Sequence, residues 1–147
     1  MEKENKKKRF IEFFDKTIEL TSDEMKEKIS QQAKNRPLIL KIRIKDLNLT
    51  RIVIFSNNSS TITSKTQKKT DCTIMFDKAK TFHQIMSGRI LPYNINLIGK
   101  FKIIYNNERG KILGTVFIPA KNNYCKIIKG TRFTLKTDDE PQVEKSE

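Results

Sequence analysis

The residues of this chain best suited to chemistry lie in one short stretch, residues 70–90, with the sequence TDCTIMFDKAKTFHQIMSGRI. It contains Cys72, Asp77 and His83, and His83 is the only histidine of the protein. A thiol activated by a neighbouring imidazole is a nucleophile, and a third polar group can orient the imidazole. These three residues therefore raise the question of a cysteine-dependent active site.

The pattern around these residues favours structural roles. Cys72 lies in an alternating segment in which it shares a strand face with Ile74 and Phe76. Asp77 stands where a helix cap is expected, and nothing in the sequence places a partner beside His83. Whether His83 is exposed stays open at this stage. We therefore predict that the protein has no catalytic residues and is not an enzyme.

The sequence also lacks the spacings that bind metals or phosphates. Its two cysteines, Cys72 and Cys125, form no zinc motif with a single histidine. Asp46, Asp71 and Asp77 lack the spacing of a calcium loop, and the glycines are isolated from one another. We predict no metal and no cofactor, and two reduced thiols in a cytoplasmic protein.

Hydrophobic periodicity predicts the elements that position these residues. Residues 10–20 form a helical pattern, and a second helix restarts at an N-cap, Thr21 or Ser22. Alternation then predicts strands at residues 38–44, 49–55, 61–63, 72–76 and 101–105. A helix follows Asp77 and a shorter one is predicted at residues 92–99, whereas residues 111–120 fit either a helix or a strand.

A chain of 147 residues is one domain by its length. We divide it into a charged N-terminal arm at residues 1–9, a folded domain at residues 10–135 and a disordered acidic tail at residues 136–147. No apolar run approaches the ~20 residues that span a bilayer. The N-terminus lacks the apolar segment of a signal peptide.

The net charge of +13 comes from 30 Lys and Arg residues against 17 Asp and Glu residues. Such an excess attracts nucleic acids or anionic membrane surfaces. Here the lysines are scattered, and aromatic residues are not interleaved with them as in single-stranded nucleic-acid sites. We therefore favour a solvated basic surface, then transient contact with an anionic membrane, and nucleic acid last.

Residues 68–103 resemble the central signature of the sterol carrier protein type 2 family, the non-specific lipid-transfer domains. That signature has an Asp-x-Thr strand, an acidic helix cap, a Gly followed by a basic residue, a Pro that opens a short helix, and a Gly-Lys step into a strand. The matching positions are Asp71, Thr73, Asp77, Phe82, Met86, Gly88, Arg89, Pro92, Gly99, Lys100 and Ile103. The resemblance extends over roughly residues 10–118.

The resemblance implies an α+β fold in which a five-stranded, mainly antiparallel sheet is covered by helices and encloses a hydrophobic tunnel. It also implies non-catalytic binding or carriage of a sterol, fatty acid, fatty acyl-CoA or other lipid. Two departures concern the pocket: the segment YNNERGKILGTVF is longer than usual, and Asn94 and Asn96 replace larger apolar residues. The expected lipid-binding residues are Met75, Phe82, Ile85, Met86, Ile95, Ile98 and Phe101.

Two alternatives to a lipid carrier remain: a basic nucleic-acid-binding protein, and an accessory or scaffold protein with the same fold and no ligand. The sequence names neither the ligand nor the oligomeric state. It also leaves open whether a lipid is transferred, stored or presented to an enzyme.

Overall fold

The computed structural model describes residues 2–65, 69–86 and 98–117 of the chain. In chain order these residues form α1 (Glu2–Lys28), β1 (Leu38–Ile44), β2 (Leu49–Ser56), β3 (Ser59–Thr63), β4 (Cys72–Phe76), α2 (Ala79–Met86), β5 (Phe101–Tyr105) and α3 (Lys111–Phe117). Short 3-10 turns at Lys45–Leu47 and Glu108–Gly110 follow β1 and β5.

The five strands form one sheet with the order β3-β2-β1-β4-β5. The central strand, β1, is parallel to β4, and the other three pairs are antiparallel. In this register Ile42 of β1 lies between Arg51 of β2 and Ile74 of β4. The predicted α+β class with a five-stranded, mainly antiparallel sheet is confirmed.

Two asparagines allow the tight turns that join the first three strands. Asn48, between β1 and β2, has φ 49°, and Asn58, between β2 and β3, has φ 58°. Asparagine tolerates this left-handed conformation better than most residues because its short polar side chain can form local hydrogen bonds. These two turns fold β1, β2 and β3 into a meander.

One face of the sheet carries the hydrophobic core, and α1, α2 and α3 pack on that face. The alternation along β1 and β4 places Leu38, Leu40, Ile42, Ile44, Cys72, Ile74 and Phe76 there, each at most 1% exposed. The helices add buried side chains of their own, among them Phe10, Phe14, Ile18, Met25, Ile29, Phe82, Ile85, Met86, Leu113 and Phe117. Burial of this apolar area is the main term that stabilises the domain.

The first helix differs from the sequence prediction. α1 runs without a break from Glu2 to Lys28, whereas the sequence predicted a restart at an N-cap. Thr21 and Ser22 are buried in mid-helix, 1% and 3% exposed, because they face the sheet. No glycine or proline interrupts residues 2–28, and the charged residues 2–9 are mostly good helix formers. Residues 2–9, predicted as part of an N-terminal arm, therefore form the first turns of α1.

Residues 111–117, which fitted a helix or a strand, form the helix α3. Other predictions lie outside the described residues: most of the short helix at 92–99, the signature residue Gly88, Cys125 and the acidic tail. No helix within the described ranges has the length and hydrophobicity needed to cross a membrane.

Candidate functional site

The helix α2 supplies three of the residues predicted to line a lipid site. Phe82, Ile85 and Met86 are spaced as one face of a helix, and all three are 0% exposed. The backbone amide of Ala79 at the start of α2 donates to Asp46 Oδ1, 3.3 Å away. Asp77, the predicted cap, accepts a hydrogen bond from Thr81 Oγ1. The helix is thus held at its first turn by a carboxylate from a distant turn.

The aromatic ring of Phe82 lies in a cluster that joins α1, α2, β4 and β5. Its centroid is 5.8 Å from that of Phe10, 5.1 Å from that of Phe14 and 5.0 Å from that of Phe76, with edge-to-face geometry in each pair. Phe101 of β5 lies 5.1 Å from Phe76 on the same side of the sheet. Such pairs add about 0.5–1.5 kcal/mol each to the burial of their area.

The remaining predicted lining residues do not join this cluster. Met75 points to the opposite face of the sheet from Phe76, because successive strand residues alternate in direction. The sheet therefore separates Met75 from Phe82. Ile98 is 77% exposed, and Ile95 lies outside the described residues. The structure thus brings together Phe82, Ile85, Met86 and Phe101.

Of the three residues that raised the question of catalysis, two are enclosed in the core, whereas Asp77 is partly exposed. Cys72 and His83 are both 0% exposed. Burial raises the pKa of the Cys72 thiol to about 11, so the thiol is protonated at neutral pH and is a poor nucleophile. Within the described ranges, His, Cys, Asp and Glu residues form no group of three that could hold a metal ion.

Two buried hydroxyl groups on α1 were not predicted as part of a site: Thr17 carried no prediction, and Thr21 was predicted only as a helix cap. Thr17 and Thr21 lie three and seven residues after Phe14, on the face of α1 that packs against the sheet. They are 0% and 1% exposed. Neither hydroxyl has a hydrogen-bond partner in the described part of the chain. The apolar interior next to the phenylalanine cluster therefore contains polar atoms able to bind a polar group.

A polar cluster at the other end of the sheet connects the starts of β1 and β4 with the turn after β5. Asp71 is 6% exposed, and its Oδ2 accepts a hydrogen bond from the backbone amide of Ile39 at 2.8 Å. Its Oδ1 accepts one from Asn107 Nδ2 at 2.8 Å. Arg109 Nη1 lies 4.0 Å from the same oxygen. Asp71 was part of the family signature, but no pattern indicated its partners 36 and 38 residues away.

Two cavities of the protein are lined by residues that do not belong to the predicted lipid site. One, of about 650 Å³, lies between α1 and the β2–β3 edge and is lined by Glu12, Asp15, Lys16, Glu19, Arg51, Ile62, Thr63 and Ser64. Arg51 there binds Asp15 through two nitrogen–oxygen pairs, at 2.6 and 3.1 Å. The other, of about 430 Å³, lies beside the polar cluster of Asp71.

The element order, the sheet topology and the helices on one face define the fold of sterol carrier protein domains. The solution structure of the sterol carrier protein domain 2 of Helicoverpa armigera matches 74% of this chain and 87% of that domain. The TM-score is 0.51 and the sequence identity 16%, a likeness that shows the fold.

Two further structures match with lower TM-scores. A UbiJ-SCP2 ubiquinone synthesis protein gives a TM-score of 0.43 at 15% identity, over 63% of this chain and 77% of that one. The sec-alkylsulfatase Pisa1 of Pseudomonas sp. gives 0.44 at 21% identity, over 60% of this chain and 13% of that enzyme. No family model matches the sequence, and no curated protein matches it either.

Proposed function

We propose that this protein binds a lipid or another hydrophobic molecule, of the sterol, fatty acid or fatty acyl-CoA class, and carries it without catalysing a reaction. The observation that carries the proposal is the fold shared with a sterol carrier protein domain over 74% of the chain. The raised pKa of Cys72 supports a non-catalytic role, because it removes the thiolate at neutral pH.

The proposed site is an apolar tunnel on the core side of α2. Its wall comprises Phe82, Ile85, Met86 and Phe101, which lie on one side of the sheet. The exposed Ile98 is the proposed entrance, and Ile95, outside the described residues, stays a predicted lining residue. Each side chain would contribute through the area that the ligand removes from water, ~25 cal/mol per Å². The flexible thioether of Met86 suits a site that accepts ligands of more than one shape.

The buried hydroxyls of Thr17 and Thr21 support a ligand with one polar end. A buried hydroxyl without a hydrogen bond costs about 1–3 kcal/mol. A hydroxyl or carboxyl group at the end of an apolar ligand would relieve that cost, and sterols and fatty acids both have this form. Because both residues lie on the face of α1 that carries Phe14, we expect the polar end of the ligand to lie next to the phenylalanine cluster.

Native mass spectrometry of the freshly purified protein, followed by lipid extraction, tests the proposal directly. We expect a co-purifying lipid and saturable uptake of a fluorescent fatty-acid analogue. Protein that is consistently empty and takes up no analogue would contradict the carrier role and favour an accessory or scaffold protein with the same fold.

Substitution of one wall residue locates the site. Ile85→Trp should lower uptake at least about tenfold, because the indole fills volume that the ligand needs. Ile104→Trp is the matched control: Ile104 is 41% exposed and faces away from α2, so its uptake should stay unchanged.

Ile98→Glu covers the case in which Ile85→Trp fails to fold. Ile98 is 77% exposed, so the change should leave the unfolding transition intact while a charge at the proposed entrance lowers uptake. Undiminished uptake by a cooperatively folded Ile85→Trp variant would show that α2 is not the wall.

A further inference from the structure

The cavity of about 430 Å³ lies at the end of the sheet away from Phe76 and Phe101, where β1 and β4 begin and β5 ends. Its volume falls within the ~300–1,000 Å³ of small-molecule sites. The residues that line it come from three segments of the chain: Arg36, Pro37, Ile39, Lys69, Asp71, Asn107, Glu108 and Arg109.

One wall of this cavity is held rigidly by hydrogen bonds. Asp71 accepts from the amide of Ile39 and from Asn107 Nδ2, both at 2.8 Å. Asn107 Oδ1 in turn accepts from the backbone amide of Gly110 at 2.9 Å. These three hydrogen bonds hold Asp71 and Asn107 in place before any ligand binds, which lowers the cost of binding.

The guanidinium of Arg109 already interacts with other groups of the protein. Its Nη2 donates to the carbonyl oxygens of Gln32 and Arg36, at 2.8 and 2.6 Å, and its Nη1 lies 4.0 Å from Asp71 Oδ1. The guanidinium therefore fixes the loop between α1 and β1 and balances the carboxylate of Asp71.

The other acidic residue of the lining, Glu108, also has a cationic partner. Its Oε1 lies 3.2 Å from Lys111 Nζ. The side chains of Arg36 and Lys69, by contrast, are exposed and have no ion-pair partner among the residues that the structure describes. The cavity thus presents two uncompensated cations beside the apolar surfaces of Pro37 and Ile39.

We propose that this cavity binds a small organic oxyanion, a phosphate or carboxylate group on a compact apolar body. Arg36 and Lys69 hold the oxyanion, since a guanidinium matches such groups with two parallel hydrogen bonds and an ammonium adds a point charge. The apolar body lies against Pro37 and Ile39. The site is separate from the proposed lipid site and does not depend on it.

Nuclear magnetic resonance of the ¹⁵N-labelled full chain tests the site with three probes: phenyl phosphate, inorganic phosphate and benzyl alcohol. Phenyl phosphate should cause saturable shifts of the amides of Ile39, Gly110 and the Asn107 side chain. Inorganic phosphate should bind more weakly, and benzyl alcohol should cause no shift. Equal affinity for phenyl phosphate and inorganic phosphate would contradict the proposed contact between the apolar body of the ligand and Pro37 and Ile39.

A matched pair of double variants separates a specific site from general attraction to a basic protein. Arg36→Gln with Lys69→Gln should weaken phenyl phosphate binding at least about tenfold, as the loss of hydrogen bonds to charged groups implies. Lys7→Gln with Lys45→Gln removes the same charge at exposed positions outside the cavity lining and should change affinity less than about twofold.

Equal weakening by the two double variants would overturn the proposal, and so would shifts scattered over the surface. All four substituted side chains are exposed, so both variants should keep the dispersed spectrum of the folded protein. Loss of lipid uptake is not expected in either variant, which keeps this test independent of the lipid site.

Discussion

Gly110 packs so closely against the start of β4 that no side chain fits there. A Cβ atom at this position would overlap the carbonyl oxygen of Asp71 and lie 2.7 Å from its carbonyl carbon. Gly114 in α3 is also close to a neighbour, but its nearest atom is the hydroxyl oxygen at the end of the Tyr105 side chain, 2.6 Å away. The two glycines therefore differ in what must move when a methyl group is added.

We expect Gly110→Ala to lower the free energy of unfolding by at least ~2 kcal/mol, since the strand backbone has to shift. Gly114→Ala should cost less, because Tyr105 can rotate and alanine gains about 1 kcal/mol over glycine in a helix. Urea unfolding of both variants at one pH shows which substitution lowers the free energy of unfolding more. The reverse order would contradict the close approach at Gly110.

At the scale of elements, α2 depends on a turn that lies far away in sequence. Asp46, in the turn after β1, accepts a hydrogen bond from the amide of Ala79, and its own amide donates to the carbonyl oxygen of Asp77 at 2.9 Å. Partial burial raises the pKa of the Asp46 carboxyl above its ordinary 3.8, and the nearby charge of Asp77 acts in the same direction. These hydrogen bonds therefore join the turn after β1 to the start of α2, although they bring the carboxylates of Asp46 and Asp77 close together at an electrostatic cost.

This cost predicts a pH-dependent effect of Asp46→Asn. A carboxyl group whose pKa is higher in the folded state stabilises the fold when protonated, and that stabilisation is lost as the pH rises through the folded pKa. Asparagine keeps an oxygen for the amide of Ala79 and never ionises. The stability of the variant relative to the wild type should therefore rise between about pH 3.8 and neutral pH.

Urea unfolding of both proteins at pH 3 and at pH 7 measures this difference. Asp46→Ala is the control: it loses the acceptor and should be less stable than Asp46→Asn at both pH values. An advantage of Asp46→Asn that is largest in acid would show that the carboxylate stabilises α2 rather than opposing it.

At the scale of the whole molecule, the net charge of +13 acts on every anionic surface. The first turns of α1 carry Lys6, Lys7, Lys8 and Arg9, all exposed. The phenylalanines that follow, Phe10 and Phe14, are 2% and 0% exposed and pack against Phe82 of α2. We propose that the exposed cations give transient contact with anionic membranes while the apolar face of α1 stays inside the protein.

Sedimentation with lipid vesicles tests this contact. Binding to vesicles that contain phosphatidylserine should be clear at low salt and fall steeply as salt rises, with none to phosphatidylcholine alone. A variant with Lys6, Lys7 and Lys8 changed to Gln should bind more weakly. Tight, strongly salt-dependent binding to DNA or RNA together with no lipid uptake would instead favour the nucleic-acid alternative.

The sequence by itself determined the strands and the buried face of α2. Strands β1, β4 and β5 begin and end at the predicted residues, because alternation with a period of two is a local property of the chain. The spacing of Phe82, Ile85 and Met86 likewise predicted one apolar helix face, and all three are buried. Fold class followed from the same patterns and the family resemblance.

Only the tertiary structure decided which polar groups meet and which side of the sheet a residue faces. Thr21 or Ser22 was predicted to cap a helix, but both are buried within α1. Met75 lies on the opposite side of the sheet from the α2 residues with which it was predicted to line a site. Asp46 accepts a hydrogen bond from the first turn of α2, 33 residues away, and Arg109 donates to carbonyl oxygens up to 77 residues away. Such contacts depend on how elements pack, and no local pattern in the chain encodes the partner.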